Sequence, residues 1–232
     1  MLSATKTREL YRRLAEVIDP KPELNFRNRL ELIVAVVLSA QATDKSVNAA
    51  TQSLFERCKT PQDYLELGQA GLEQATRTIG LYRNKAKAIL GLCRKLIDDF
   101  GGEVPGTLQE LLSLPGVGLK TAYVVLNLGF GQPVIAVDTH IFRVANRTTV
   151  APAKTPEEVS ALLMKRTPKE YLLNAHHYLL LHGRYTCTAR APHCATCVLA
   201  ELCPSRQIAE LARTAPQPDE PRRPWPRQPS HR

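Results

Sequence analysis

Leu114-Pro115-Gly116-Val117-Gly118-Leu119-Lys120-Thr121-Ala122 is the stretch on which the fold turns. It lies between two segments whose apolar residues recur at helical spacing, 107–113 and 119–128. Pro115 and the two glycines force a tight turn without side-chain bulk, and the next helix starts at once. The backbone N–H groups of Gly116, Gly118 and the helix start then point outward, where they and the helix dipole can hold a phosphate. A nucleic-acid backbone can be gripped this way without its sequence being read. A Gly-x-Gly turn alone connects many helices. Its weight here comes from Lys120 at the start of the following helix and from two downstream features, Val137-Asp138-Thr139-His140 and a group of cysteines.

Helical periodicity continues in both directions and strand alternation is scarce, so the expected class is all-α. Leu10, Leu14, Val17 and Ile18 mark an opening helix, stopped by Asp19-Pro20-Lys21-Pro22. Residues 30–40, a mostly apolar run carrying Glu31, read as a buried core helix. Further helices are expected at 46–57, 61–67, 72–78 and 84–100, the last ended by Gly101-Gly102, and beyond the hairpin at 138–147, 155–165 and 169–182. Near residue 215 the composition changes, with six of the 17 prolines in the last 18 residues among Arg, Gln and Ser. Residues 212–232 are expected to form a disordered or polyproline-like tail.

The chain carries 31 Lys and Arg against 22 Asp and Glu over 232 residues, a formal charge of +9. Four arginines and two acids in residues 215–232 account for +2, which leaves +7 on the rest of the chain. Such a surface suits nucleic acid or an acidic membrane face. At this length one large or two small domains are expected, burying roughly 70% of the unfolded surface without disulfide staples. No apolar stretch follows the charges of the first residues, so a secretory signal is not expected and the protein is read as cytoplasmic and nucleoid-associated. The longest apolar run is about half of the roughly 20 residues that a membrane span needs, so no membrane partner is expected.

Four of the six cysteines, Cys187, Cys194, Cys197 and Cys203, follow the spacing C-x6-C-x2-C-x5-C. In a reducing compartment a metal site is a better reading than two disulfides. Structural zinc often uses two short Cys pairs, whereas one CxxC flanked at longer, unequal spacing suits a [4Fe-4S] cube, and zinc stays the alternative. Cys58 and Cys93 fall in helical contexts and read as small buried apolar residues. Arg190 and His193 lie between the first two ligands, with Arg184 and Arg206 flanking the group, so a metal knot that fixes a basic loop is a candidate phosphate contact beside ordinary solvated charge.

Leu114 to Ala122, Val137-Asp138-Thr139-His140 and the cysteine spacing together resemble endonuclease III, the helix-hairpin-helix DNA glycosylase/lyase that removes oxidised pyrimidines. Leu38-Ser39-Ala40-Gln41-Ala42-Thr43-Asp44, Thr78-Ile79-Gly80-Leu81-Tyr82 and Leu181-His182-Gly183-Arg184-Tyr185-Thr186-Cys187 resemble it too, so the similarity runs from about residue 8 to 205. The resemblance implies Lys120 as the nucleophile and Asp138 as its catalytic partner, Asp138 doubling as a helix N-cap. A free lysine titrates near 10.4, so a nucleophilic one must be destabilised as a cation, which a helix N-terminus and partial burial both do. It also implies Gln41 and Leu81 as the pair that fills the gap left by an extruded nucleotide, one polar and one an apolar wedge. Gly116, Gly118, His140, Arg184 and Arg190 are the expected DNA contacts, with Arg143 and Asn146 not counted among them because one helix face cannot hold all three, and the four cysteines the ligands of a [4Fe-4S] cluster.

The implied architecture is two helical lobes with a DNA-binding cleft between them. Residues 23–134 form a helical barrel ending in the hairpin, and 1–22 join 135–211 as a cluster-bearing lobe. The expected partner is double-stranded DNA with oxidised pyrimidines or abasic sites, and the expected state is a monomer. One departure stands out: the family commonly has a basic residue before the lysine, where this chain has Leu119. The rival readings are the related adenine-specific mismatch glycosylase, which usually lacks that lysine and carries an additional C-terminal domain, and a non-catalytic metal-stabilised DNA-binding module.

Overall fold

The computed structural model describes residues 1–206, and among these there are helices and turns but no strand. The expected tail lies outside the described residues. Most helices start where a short polar side chain can take the first free backbone N–H. Ser3 caps α1 (Ala4–Val17), Asn28 caps α2 (Arg29–Ser39) and Thr43 caps α3 (Asp44–Arg57). Thr60 and Asp63 form a capping box on α4 (Pro61–Thr76), which bends at Gly68 (φ 69°), so the two segments expected at 61–67 and 72–78 are halves of one kinked helix. Next come α5 (Tyr82–Phe100), closed by the left-handed Gly101, then α6 (Leu108–Leu112) and α7 (Leu119–Phe130). Asp138 caps α8 (Thr139–Thr148), and Thr155 with Glu158 boxes the start of α9 (Pro156–Arg166).

The helix expected at 169–182 is divided into α10 (Lys169–Leu172) and α11 (Ala175–Tyr185). The break has a long-range cause. The buried Asn127 amide donates to the carbonyls of Leu173 (3.0 Å) and Gln132 (3.1 Å), drawing the Leu173 carbonyl out of the helical ladder. Val17, expected on the apolar face of α1, is 60% exposed at the last turn, while Leu10 and Leu14 are fully buried.

Two hydrophobic clusters divide the molecule. The first gathers around α2, whose nine residues Leu30 to Leu38 are all buried, and draws on α3 to α7. The second joins Leu2, Leu10, Tyr11 and Leu14 at the N-terminus to residues from Ile135 to Leu199. The result is two helical lobes flanking a cleft, with the hairpin on one wall and α8 and α11 on the other.

Candidate active site

The turn between α6 and α7 is seated on α5. Gly116 has φ 78°, and a Cβ there would lie 2.8 Å from the Ala88 methyl, so both conformation and space demand glycine. Pro115 sits beside Gly91 of α5 in the same way. Gly118 is the N-cap of α7 and offers no side chain to its first turn. Among the described residues, no acceptor meets the N–H groups of Gly116 and Gly118, and the first-turn donors of α7 face the cleft without a cap. Lys120 stands in that turn. It is exposed, contrary to the partial burial expected, and no hydrogen bond holds its amine among the described residues. Water therefore reaches it until another surface covers it.

A cavity of about 180 Å³ lies next to this turn, lined among others by Ser39, Asp44, Lys120, Asp138, His176 and His177. Asp138 uses Oδ1 to accept from the Ile141 N–H at 2.8 Å, which leaves its other oxygen for chemistry. Burial first, and the charge of Asp138 second, raise the Asp44 carboxyl above its ordinary range, while Lys120 and His140 oppose them. The four groups thus share one electrostatic field. His176 is buried, donates from Nδ1 to the Ala136 carbonyl (2.9 Å) and is kept neutral by desolvation. His177, packed edge-on against it, is held down to about 4, chiefly by burial.

On α8, His140 is half-buried and accepts from Arg143 at 3.2 Å. Arg143 and Asn146 bond within the fold: Arg143 donates to the carbonyls of Gly183 (2.6 Å) and Cys187 (2.8 Å), and Asn146 to that of Phe142 (3.0 Å). Gly183 is where α11 crosses α8, since a Cβ there would lie 2.9 Å from His140. Arg184, expected at DNA, is half-buried in an ion-pair network with Glu23 and Asp44, the latter at 2.5 Å. Its charge is already neutralised by two carboxylates, which makes it a tie across the cleft floor. Arg190 is exposed, with no side-chain partner among the described residues.

Gln41 and Leu81 are two of the three described non-glycine residues with positive φ (55° and 60°), and both are exposed, Leu81 by 59%. Side chains held outward on strained backbone mark functional positions. The two turns touch, since a Cβ on Gly80 would meet the Gln41 carbonyl at 4.0 Å. Lys85, which the sequence offered only as part of a helix, is buried behind them and donates to the carbonyls of Leu38 (2.9 Å) and Ala40 (2.6 Å).

The four cysteines line a separate cavity of about 430 Å³. All are free thiols, and among the described residues no three His, Cys, Asp or Glu converge as a single ion would require. The four sulfurs line that one cavity together, as the ligands of a four-iron cube would. Burial, and beyond it the charges of the neighbouring sulfurs, raise the Cys197 and Cys203 thiols. Arg147 holds the loop from α8, donating to the carbonyls of Thr188 (2.7 Å) and Ala189 (2.8 Å). Cys58 and Cys93 are buried in the first core, as expected.

Comparison with known proteins agrees with this geometry. Residues 34–169 match the model of the HhH-GPD superfamily base excision DNA repair proteins, and 187–203 that of the iron-sulfur binding domain of endonuclease III. Endonuclease III of Escherichia coli (strain K12) is 50% identical over 212 residues, 90% of this chain and 100% of that protein. Endonuclease III of Treponema pallidum (strain Nichols) is 53% identical over 189 residues, 82% of this chain and 90% of its own. A trapped endonuclease III–DNA covalent intermediate superposes with a TM-score of 0.86 at 46% identity, covering 90% of this chain and 100% of that one.

Proposed function

The chain belongs to the endonuclease III family of the HhH-GPD superfamily of base excision DNA repair proteins, and on that premise we propose how its residues divide the work. It is a DNA glycosylase and abasic-site lyase with a [4Fe-4S] cluster, and it binds DNA. The substrates we assign are oxidised pyrimidines and abasic sites in duplex DNA, met by a monomer at the nucleoid. Residues 23–134 act as one unit, and 1–22 with 135–211 as the other.

The observation that carries the assignment is that Lys120, in the uncapped first turn of α7, and Asp138, the N-cap of α8, line one cavity. The free N–H groups at Gly116 and Gly118 hold a phosphate and bring the deoxyribose to Lys120. Gln41 and Leu81 enter the duplex where the nucleotide leaves, offsetting the few kcal/mol of lost stacking and pairing. DNA then covers Lys120, and the desolvation that the free enzyme lacks favours the neutral amine. Lys120 Nζ bonds to C1′ as the glycosidic bond breaks and the base departs with a proton, while the Asp138 carboxylate faces the positive charge that develops on the sugar. The sugar opens to a Schiff base, loss of a C2′ proton follows, and the C3′–O bond breaks with the 3′ phosphate as leaving group. Four cysteines leave a cluster no open coordination position, so its contribution is to hold the loop that carries Arg190.

Borohydride reduces a Schiff base to a stable amine. The wild type should be trapped on an abasic duplex, and Lys120→Ala should bind that duplex without an adduct. An adduct with Lys120→Ala would move the nucleophile elsewhere. A panel of oxidised-pyrimidine duplexes tests the substrate range.

A further inference from the structure

We infer that Lys85 is a positioning residue for base extrusion, its buried ammonium tying the turn that carries Gln41 to the turn that carries Leu81 so that both enter the duplex as one rigid pair. The inference rests on the assignment of Gln41 and Leu81 to the duplex gap. Lys85 Nζ donates to the carbonyls of Leu38 and Ala40 at 2.9 and 2.6 Å, immediately before Gln41. Its backbone N–H donates to the Leu81 carbonyl at 3.1 Å, closing the first turn of α5 on the residue that precedes that helix. Lys85 is only 6% exposed and has no carboxylate partner among the described residues, so the last carbonyls of α2 are its counter-charge.

Neither turn holds its shape alone. α2 ends at Ser39, and the next residues run through the positive φ of Gln41, so the Leu38 and Ala40 carbonyls need a donor from elsewhere. Leu81 has no side-chain capping bond and no apolar cover, and its own left-handed backbone is unfavourable. Such strain persists only where the surroundings over-determine it. One residue bonded to both turns, through its ammonium to the first and its backbone N–H to the second, is that determinant. A methionine would fill the same space and leave the buried Leu38 carbonyl and the part-buried Ala40 carbonyl without this donor.

The experiment uses the loaded full-length enzyme with Lys85→Met and Lys85→Gln. Single-turnover excision on a lesion duplex should fall by about 10²-fold with Lys85→Met, the scale of a misplaced positioning group. The fluorescence rise of a 2-aminopurine beside the lesion, which reports extrusion, should be lost with it. Lys85→Gln, which keeps one donor group, should recover part of both. A single-stranded abasic oligonucleotide has no partner base to displace, so its cleavage should stay near wild type, while the lost donor lowers the melting temperature, more in Lys85→Met than in Lys85→Gln. If single-stranded cleavage drops in step with duplex activity in both variants, Lys85 is a general core residue and the inference is overturned. Wild-type extrusion in both variants overturns it as well. Gln41→Ala and Leu81→Ala separate the two levels: if they slow extrusion and Lys85→Met does not, the tie alone falls, and if they do not slow it, the duplex-gap assignment falls and takes the tie with it.

Discussion

Gly116→Ala and Gly118→Ala differ by two positions in one turn and should fail in opposite ways. At Gly116 the added methyl meets Ala88 Cβ at 2.8 Å on a backbone with φ 78°. The left-handed conformation costs about 1–2 kcal/mol and the overpacking about 1–3 kcal/mol, so the hairpin should lose on the order of 2–5 kcal/mol. For a protein of this size that is a fall in melting temperature on the order of 10 °C. At Gly118 the backbone is extended (φ −95°) and the methyl meets nothing within 4 Å. The loss there is that of a slightly poorer N-cap, about 0.5–1 kcal/mol. Yet Gly118 is where a phosphate is expected to approach. Blocking one charge-assisted hydrogen bond removes about 1.5–3 kcal/mol, or roughly 10- to 100-fold in Kd. Thermal melting and fluorescence anisotropy on a duplex with a non-cleavable abasic analogue, at one salt concentration, measure both quantities. Wild-type affinity in a folded Gly118→Ala would refute the phosphate cradle, and a wild-type melting temperature for Gly116→Ala would refute the packing argument.

Asp138→Asn keeps the cap on Ile141 and should change stability by less than about 0.5 kcal/mol, whereas Asp138→Ala should lose about 1 kcal/mol. Both should slow base excision by roughly 10²- to 10⁴-fold, and an active Asn variant in single-turnover assays would confine Asp138 to its cap. His177 is held at about 4 in the fold against about 6.5 unfolded, so between these values only the unfolded chain takes up the proton. Stability should therefore fall by about 3 kcal/mol as the pH drops from 6.5 through 4, and less in His177→Gln; urea unfolding at several pH values that showed equal slopes for the two would contradict this. Arg190→Ala should weaken binding equally across DNA sequences and lower the slope of log K against log salt by about 1, whereas an unchanged slope would remove Arg190 from the phosphate contacts.

What could be read from the sequence was local. The Asp138 cap, the Gly101 stop and the cysteine spacing each depend on a few neighbours, and the helices stand within a turn of their expected places. What was missed depends on distant partners. The break before Asn174 arises because Asn127 takes the Leu173 carbonyl. Arg184 looked like a phosphate contact until the fold brought up Glu23 and Asp44, more than a hundred residues away. Lys85 has the spacing of an ordinary first-turn lysine, and no local pattern announces that a helix end will be buried against it. Lys120 was expected partly buried, and it stands exposed because none of the described elements packs over the first turn of α7.

The second hydrophobic core carries a consequence for biosynthesis. Leu10, Tyr11 and Leu14 belong with residues from Ile135 onward, so α1 leaves the ribosome about 120 residues ahead of its first packing partner. At roughly 5–20 residues per second, that helix shows its apolar face to the cytosol or to a chaperone for about 6–24 s. The first core can close during this interval, with Lys120 already on its surface. The cavity around Lys120 still lacks Asp138, His176 and His177, so a nascent chain holds Lys120 before the wall that faces it exists.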